Sequence, residues 1–194
     1  WSRHHDHMAS MSALVSAGGR LFYILDEGSR ASIQLPSRWR LIARDGFNGT
    51  VLWKRDIPKW ASKDFGLKSG PAHLLRRLVA VDDRVYVTLG IDAPATILNA
   101  ATGETLATCE NSEQTREFVV VDDTALLVVG HEKSRLPDFR RVGTYVWSNT
   151  NASNKDWGWQ GTKRSIVACD AVSGKLRWKK QSPVAPCSLA ACGD

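Results

Sequence analysis

The sequence predicts an all-β chain, a β-propeller of four-stranded antiparallel blades, with about three blades of an incomplete seven- or eight-bladed ring. The first sign is a turn that occurs three times with nearly constant chemistry: ARDGFNGTVLW at 43–53, ILNAATGETLA at 97–107 and ACDAVSGKLRW at 168–178. The second is an element that precedes each turn: VSAGGRLFY from Val15, VAVDDRVYV from Val79 and VVVDDTALL from Val119. Tandem self-similarity of this kind decides architecture before any single residue is read for chemistry. A β-sandwich accounts for the strands but has no reason to repeat its turns.

Each preceding element reads as two short strands joined by Gly-Gly or Asp-Asp. The second strand of each pair, Leu21 to Leu25, Val85 to Leu89 and Ala125 to Val129, is nearly all apolar rather than alternating. That is the pattern of a strand covered on both faces. Each turn motif is a further hairpin, so one unit contains four strands. Asp45, Asn99 and Asp170 offer an oxygen to the N–H groups of their turns. Gly49, Gly103 and Gly174 supply the positive φ that other residues resist. Trp53 and Trp178 follow their glycines at the same offset, where a large ring is suited to packing against a neighbouring unit. Ala107 takes that place in the middle copy.

In chain order this gives a lead-in at 1–12, a first blade at 13–57 and an inter-blade insertion at 58–76. A second blade follows at 77–112, then a third at 113–182 with a loop insertion at 131–162. The segment 183–194 aligns from Leu189 with the run that starts at Leu78, and is expected to begin a further, truncated blade. The chain is therefore expected to be an internal piece of a longer one.

Comparing the copies locates their insertions. From the end of the first hairpin turn to the turn glycine is 20 residues in the middle copy (Asp83 to Gly103), 30 in the first (Gly19 to Gly49) and 51 in the third (Asp123 to Gly174). The excess falls between second and third strands, at about 26–38 and 131–162, and a third insertion at about 58–74 lies between two blades. Loops from second to third strand emerge at the same end of a blade as the crossover to the next. All three insertions are therefore expected on one face of the disc, and loops on a rigid scaffold are where binding groups concentrate.

The richest insertion carries Arg135, Asp138, Arg140, Arg141, Tyr145, Trp147, Trp157 and Trp159. Rings near charges can stack on a sugar, a quinone or a peptide side chain; equally, an insertion of that length needs a small core of its own. A second cluster, His4, His5, Asp6 and His7, has metal-ligand chemistry, and His73 and His131 lie in or beside insertions of the same face. Adjacent residues rarely converge on one ion unaided, so the alternative is a polar lead-in.

The chain is 43% hydrophobic and 24% charged, as a packed domain requires. Its net charge of +6 is spread over pairs such as Arg76-Arg77, Arg140-Arg141 and Lys179-Lys180. Nucleic-acid binding calls for basic residues gathered on one face, and is not expected. No apolar run reaches the roughly 18 residues of a membrane span. Cys109, Cys169, Cys187 and Cys192 follow no metal-binding spacing and are expected to be small buried residues.

The pattern Ala-x-Asp-x-x-(Thr/Ser)-Gly-x-x-x-Trp resembles the tryptophan-docking repeat of propellers like those of the quinoprotein alcohol dehydrogenases, the PQQ-like repeat family, which includes an outer-membrane assembly lipoprotein. The copy at 168–178 matches every position, the copy at 43–53 has Asn48 in place of Thr, and the copy at 97–107 has Ile97, Asn99 and Ala107. The resemblance implies a propeller, a bacterial source and a periplasmic or other extracytoplasmic setting. It also implies two functions: a non-catalytic scaffold that binds protein or polysaccharide through its loops, or part of a dehydrogenase that holds PQQ over calcium. The dehydrogenases place a vicinal disulfide beneath the quinone, and this chain has no adjacent cysteines. The scaffold without cofactor is the favoured expectation, and a propeller fused to a separate catalytic domain is a further alternative.

Overall fold

Three four-stranded antiparallel sheets, each built from consecutive strands, account for the architecture of this computed structural model, which describes residues 11–29, 31, 35–62, 72–134, 136–138, 164–185 and 187–191. The first contains β1 (Met11–Ala17), β2 (Arg20–Asp26), β3 (Trp39–Asp45) and β4 (Val51–Asp56). The second contains β5 (Leu78–Val81), β6 (Arg84–Thr88), β7 (Ala95–Asn99) and β8 (Thr105–Thr108). The third contains β9 (Thr115–Val121), β10 (Thr124–Val129), β11 (Arg164–Asp170) and β12 (Leu176–Ser182). The first strands are neighbours, β1 beside β5 and β5 beside β9, as in blades arranged about an axis. One helical turn, Ala72–Leu75, lies between the first two sheets.

The apolar runs are explained by the side chains they send to opposite faces. In β6 and β7, Val85, Val87 and Leu98 enter a core shared with Phe22, Ile24, Leu41 and Ala43 of the first blade. Their sequence neighbours Tyr86, Ala95 and Ile97 enter a second core with Phe118, Leu127 and Val167 of the third blade. Successive side chains in a strand point to opposite faces, so a middle blade between two partners needs apolar residues at nearly every position.

The repeated turns share one geometry. Oδ1 of Asp45 accepts the N–H groups of Phe47 and Asn48 at 2.9 and 3.0 Å, that of Asn99 those of Ala101 and Thr102 at 2.8 and 3.1 Å, and that of Asp170 those of Val172 and Ser173 at 3.1 and 2.8 Å. Gly49, Gly103 and Gly174 close the turns at φ of 74°, 74° and 72°.

The two seams between blades use this turn differently. The indole of Trp53 lies so close to Gly103 that a Cβ there would sit 2.6 Å from the ring. Its Nε1 donates to the Ala100 carbonyl at 3.0 Å, and Arg55 Nη1 donates to the Gly103 carbonyl at 2.6 Å. Blade 2 has Ala107 where blade 1 has Trp53, and there the backbone closes the gap. A Cβ on Gly174 would sit 2.5 Å from the Thr108 carbonyl oxygen. The Glu110 N–H reaches the Gly174 carbonyl at 2.9 Å, and the Tyr86 hydroxyl donates to the Ala171 carbonyl at 2.9 Å. At the two open edges the contact is divided: Gly49 has nothing within 4 Å of its Cβ position, and Trp178 is 47% exposed.

Two outcomes follow from these contacts. Gly103→Ala should destabilise the fold by about 3 kcal/mol or more, because it adds ring overlap to an unfavourable φ, while Gly49→Ala meets the φ penalty alone, about 1 kcal/mol. Equal losses in denaturant titrations would show that the seam is not under this constraint. The second outcome concerns acid. The turn N–H of Ser173 first, and then Arg177, hold the Asp170 carboxyl well below its ordinary value of 3.8. A carboxylate depressed in this way stabilises the fold while charged and loses its contribution as pH falls through the folded value. Stability should therefore hold above about pH 4 and decline below it. Asp170→Asn, which keeps an acceptor for the turn but discards the pairing with Arg177, should flatten that decline; an unchanged acid limb in melting curves would refute the assignment.

Candidate functional site at the long-loop end

The loops opposite the repeated turns are joined into one layer. At the base of the first insertion, Glu27 N–H donates to the Arg38 carbonyl at 2.9 Å, and Asp26 Oδ1 accepts Gly28 and Arg38 N–H groups at 2.8 and 2.7 Å. A Cβ on Gly28 would lie 2.7 Å from the Pro36 carbonyl oxygen, so the pinch requires glycine. Lys54, aided by Arg40, holds the Glu27 carboxyl below its ordinary value at the same base.

The segment after β4 then folds under the layer. Trp60 is buried and donates from Nε1 to Ser12 Oγ at 3.0 Å, while Trp39 Nε1 donates to the Ala61 carbonyl at 2.8 Å. The fully buried Arg77 lies with its guanidinium 5.8 Å from the centre of the Trp60 ring and donates to the Ile91 carbonyl. A cation against an indole face is favourable, the more so away from water. The Ile91 N–H in turn donates to the Lys59 carbonyl at 2.7 Å, tying the β6–β7 loop to the segment that leaves blade 1.

Blade 3 reaches back over the same ground. Ser134 N–H donates to Asp92 Oδ1 at 2.8 Å, and Ser62 N–H donates to the Leu136 carbonyl at 2.9 Å. Leu136, which starts the 3₁₀ turn Leu136–Asp138, is buried in the core of the first two blades with Trp60, Leu74 and Ile91. The inter-blade segment and the insertion of blade 3 thus meet beside the β6–β7 loop of blade 2.

A charged junction closes the inner side. Glu117, nearly inaccessible, pairs with Arg76 at 2.5 Å and accepts the Leu189 N–H at 3.1 Å. Arg164 donates to the Val184 carbonyl at 2.7 Å, and burial first, with Arg116 adding to it, lowers the pKa of its guanidinium. Four buried polar atoms here, Gln114 Oε1, Arg116 Nη1, Glu117 Oε2 and Ser165 Oγ, have no hydrogen-bond partner among the described residues.

Of the residues singled out from the sequence, Asp138 lies exposed at the end of the 3₁₀ turn and His131 lies exposed just after β10. His73 falls within the helical turn. Arg135, Tyr145, Trp147, Trp157, Trp159, His4, His5 and His7 lie outside the described residues, as does Cys192. Cys109 and Cys169 are buried, but Cys187, expected to be so, is half-exposed because it sits at a φ of 58° in the segment after β12 rather than in a strand. Sequence reasoning passed over Leu136, Arg77 and Trp60, whose roles depend on partners far along the chain.

Among the described residues no three His, Cys, Asp or Glu side chains converge, and the described cysteines are not neighbours in sequence. Among the described residues no helix is long and apolar enough to cross a membrane.

No protein-family model matches the chain, and no curated protein matches it. Solved structures do. A europium-containing methanol dehydrogenase is similar at 14% identity and a TM-score of 0.51, over 88% of this chain and 24% of that one. A quinohemoprotein alcohol dehydrogenase from Comamonas testosteroni is similar at 15% identity and a TM-score of 0.50, over 91% and 22%. An acylaminoacyl peptidase from Pyrococcus horikoshii is similar at 9% identity and a TM-score of 0.51, over 92% and 25%. The chain spans about a quarter of the length of these proteins. At such identities the likeness is one of fold: the propeller that the repeats resembled is present, and it serves unrelated chemistries.

The joined layer makes a measurable prediction. Leu136→Ala should cost about 3 kcal/mol, as for a leucine removed from a packed core. A loss below about 1 kcal/mol in denaturant unfolding, the value of a surface site, would show that the third insertion merely rests on the layer.

Proposed function

We propose that this chain is a section of a larger propeller that acts as a binding scaffold, presenting its long-loop face to a protein or polysaccharide partner. The observation that carries the reading is the joining of the inter-blade segment to the insertion of blade 3 through Ser62–Leu136, and of that insertion to the β6–β7 loop of blade 2 through Ser134–Asp92. Three separate loops become one platform, held by buried side chains beneath it. A platform of this kind fixes a partner's position at little ordering cost, because the segments at Ser62, Asp92 and Leu136 are already tied to one another. The opposite end, with its short turns, offers single exposed residues such as Phe47.

The divided edge contacts support the other half of the reading. The turn at Gly49 has the form of the one that receives Trp53, and Trp178 stands where Trp53 stands in its blade. Further blades of the same propeller are the partners whose chemistry fits these edges.

Photo-crosslinking separates the faces. A photoreactive residue at Asp138 should capture the partner from an extract, one at Phe47 should not, and Trp157→Ala with Trp159→Ala should reduce the capture while leaving the melting curve in place. Loss of the captured species on glycosidase treatment would identify a polysaccharide, and its loss on protease treatment a protein. Equal capture from both ends would overturn the reading. So would a saturable absorbance change on titration with PQQ and calcium, which would favour the quinone-dependent dehydrogenase instead.

A further inference from the structure

The second seam lacks an indole and contains two thiols. Cys109 follows β8 of blade 2, and Cys169 lies in β11 of blade 3, immediately before the turn residue Asp170. Both are buried in the one core cluster that the two blades share. Sγ of Cys169 lies 3.6 Å from the carbonyl oxygen of Glu110, the residue after Cys109. The Glu110 N–H is fastened to Gly174 across the same seam at 2.9 Å, and a Cβ on Gly174 would stand 3.2 Å from the Cys109 nitrogen. At the first seam the corresponding positions, counted from the turn motif, are Arg55 and Leu98. A thiol therefore stands at both positions only at the seam where the ring is missing.

We propose that Cys109 and Cys169 are a redox pair that a small hydroperoxide converts to a disulfide, covalently joining blades 2 and 3. Each thiol shifts the other: Cys169 beside it, with burial, raises the pKa of Cys109, while Cys109 lowers that of Cys169. Cys169 is thus the sulfur that ionises first, and the thiolate is the nucleophile in such chemistry.

The step balances with hydrogen peroxide as the oxidant. The Cys169 thiolate attacks one peroxide oxygen; an S–O bond forms, the O–O bond breaks, and hydroxide leaves and takes up the proton that the thiol released, giving water and a sulfenic acid. The Cys109 sulfur then loses its proton and attacks the Cys169 sulfur. An S–S bond forms, the S–O bond breaks and a second water leaves. Two thiols give up two electrons, and one peroxide is reduced to two waters.

The enclosed loop runs from residue 109 to residue 169 and includes the third insertion. Closing so long a loop restricts the unfolded chain strongly, so the oxidised protein should be the more stable form.

The test uses the whole 194-residue chain, treated with hydrogen peroxide, quenched, denatured and alkylated. Peptide mapping should return Cys109 linked to Cys169, with Cys187 and Cys192 alkylated, and the intact mass of a sample taken before alkylation should lie about 2 Da below that of the reduced protein. The melting midpoint should rise on the order of 5 °C over the dithiothreitol-reduced protein. Cys109→Ser and Cys169→Ser should each abolish both the link and the shift. Full alkylation of Cys109 and Cys169, accumulation of a sulfinic acid at either, or a redox-dependent midpoint that persists in Cys109→Ser would overturn the proposal. Should either variant fold poorly, the map of the unsubstituted protein decides alone.

Discussion

The fold depends on a turn that has no side chain where the next blade must approach. A tight hairpin that ends in a residue at positive φ puts a peptide group on the outside of the sheet, bare of any Cβ. In Gly103 that bare surface is covered by an indole, and in Gly174 by the backbone at Thr108 and Cys109. In both, the turn also offers carbonyls that the neighbouring blade satisfies, Ala100 and Gly103 at one seam and Ala171 and Gly174 at the other. Steric absence and hydrogen bonding thus act together. A side chain at the glycine would separate the blades, and separated blades would leave apolar strands facing water.

The same constraint explains the composition of the strands. Blade 2 sends Val85, Val87 and Leu98 one way and Tyr86, Ala95 and Ile97 the other, so neither of its faces is free to be polar. The outer strands are under less constraint, and β12 is exposed or half-exposed throughout. Polar groups gather instead at the strand ends, where the Arg76–Glu117 pair and Arg77 beneath the loop layer replace apolar packing. Such groups are costly to bury unless they are paired, and pairing fixes their neighbours in place. The loop layer inherits its rigidity from that requirement.

What could be read from the sequence was what is local. The three turns, the hairpins that precede them and the apolar second strands rest on contacts within a few residues, and periodicity exposes such contacts. The seams were legible only in part: Trp53 announced its contact, while the replacement of Trp by Ala107 gave no sign that backbone would fill the space. Leu136 looked like one more loop residue, because its burial is supplied by Trp60, Leu74 and Ile91, all more than forty positions earlier. Cys109 and Cys169 have no shared spacing rule for the same reason. At the candidate site the unequal lengths of the copies pointed to the insertions, while the contacts at their bases, Ser62 with Leu136 and Ser134 with Asp92, had no signal in the sequence.

The two open edges are unlike each other, and this limits how the chain can associate. One offers a bare turn at Gly49, the other a half-exposed ring at Trp178 with the apolar Leu176 beside it. Two copies of the first edge have no ring to exchange, and two copies of the second have no bare turn to receive one. Only head-to-tail contact restores the arrangement seen between Trp53 and Gly103, and a heterologous contact either closes into a ring or continues without limit. Direction along the chain is therefore written into the first and third blades, with the glycine turn on one side and the indole on the other, and into the second by its glycine turn, since Ala107 takes the place of the ring.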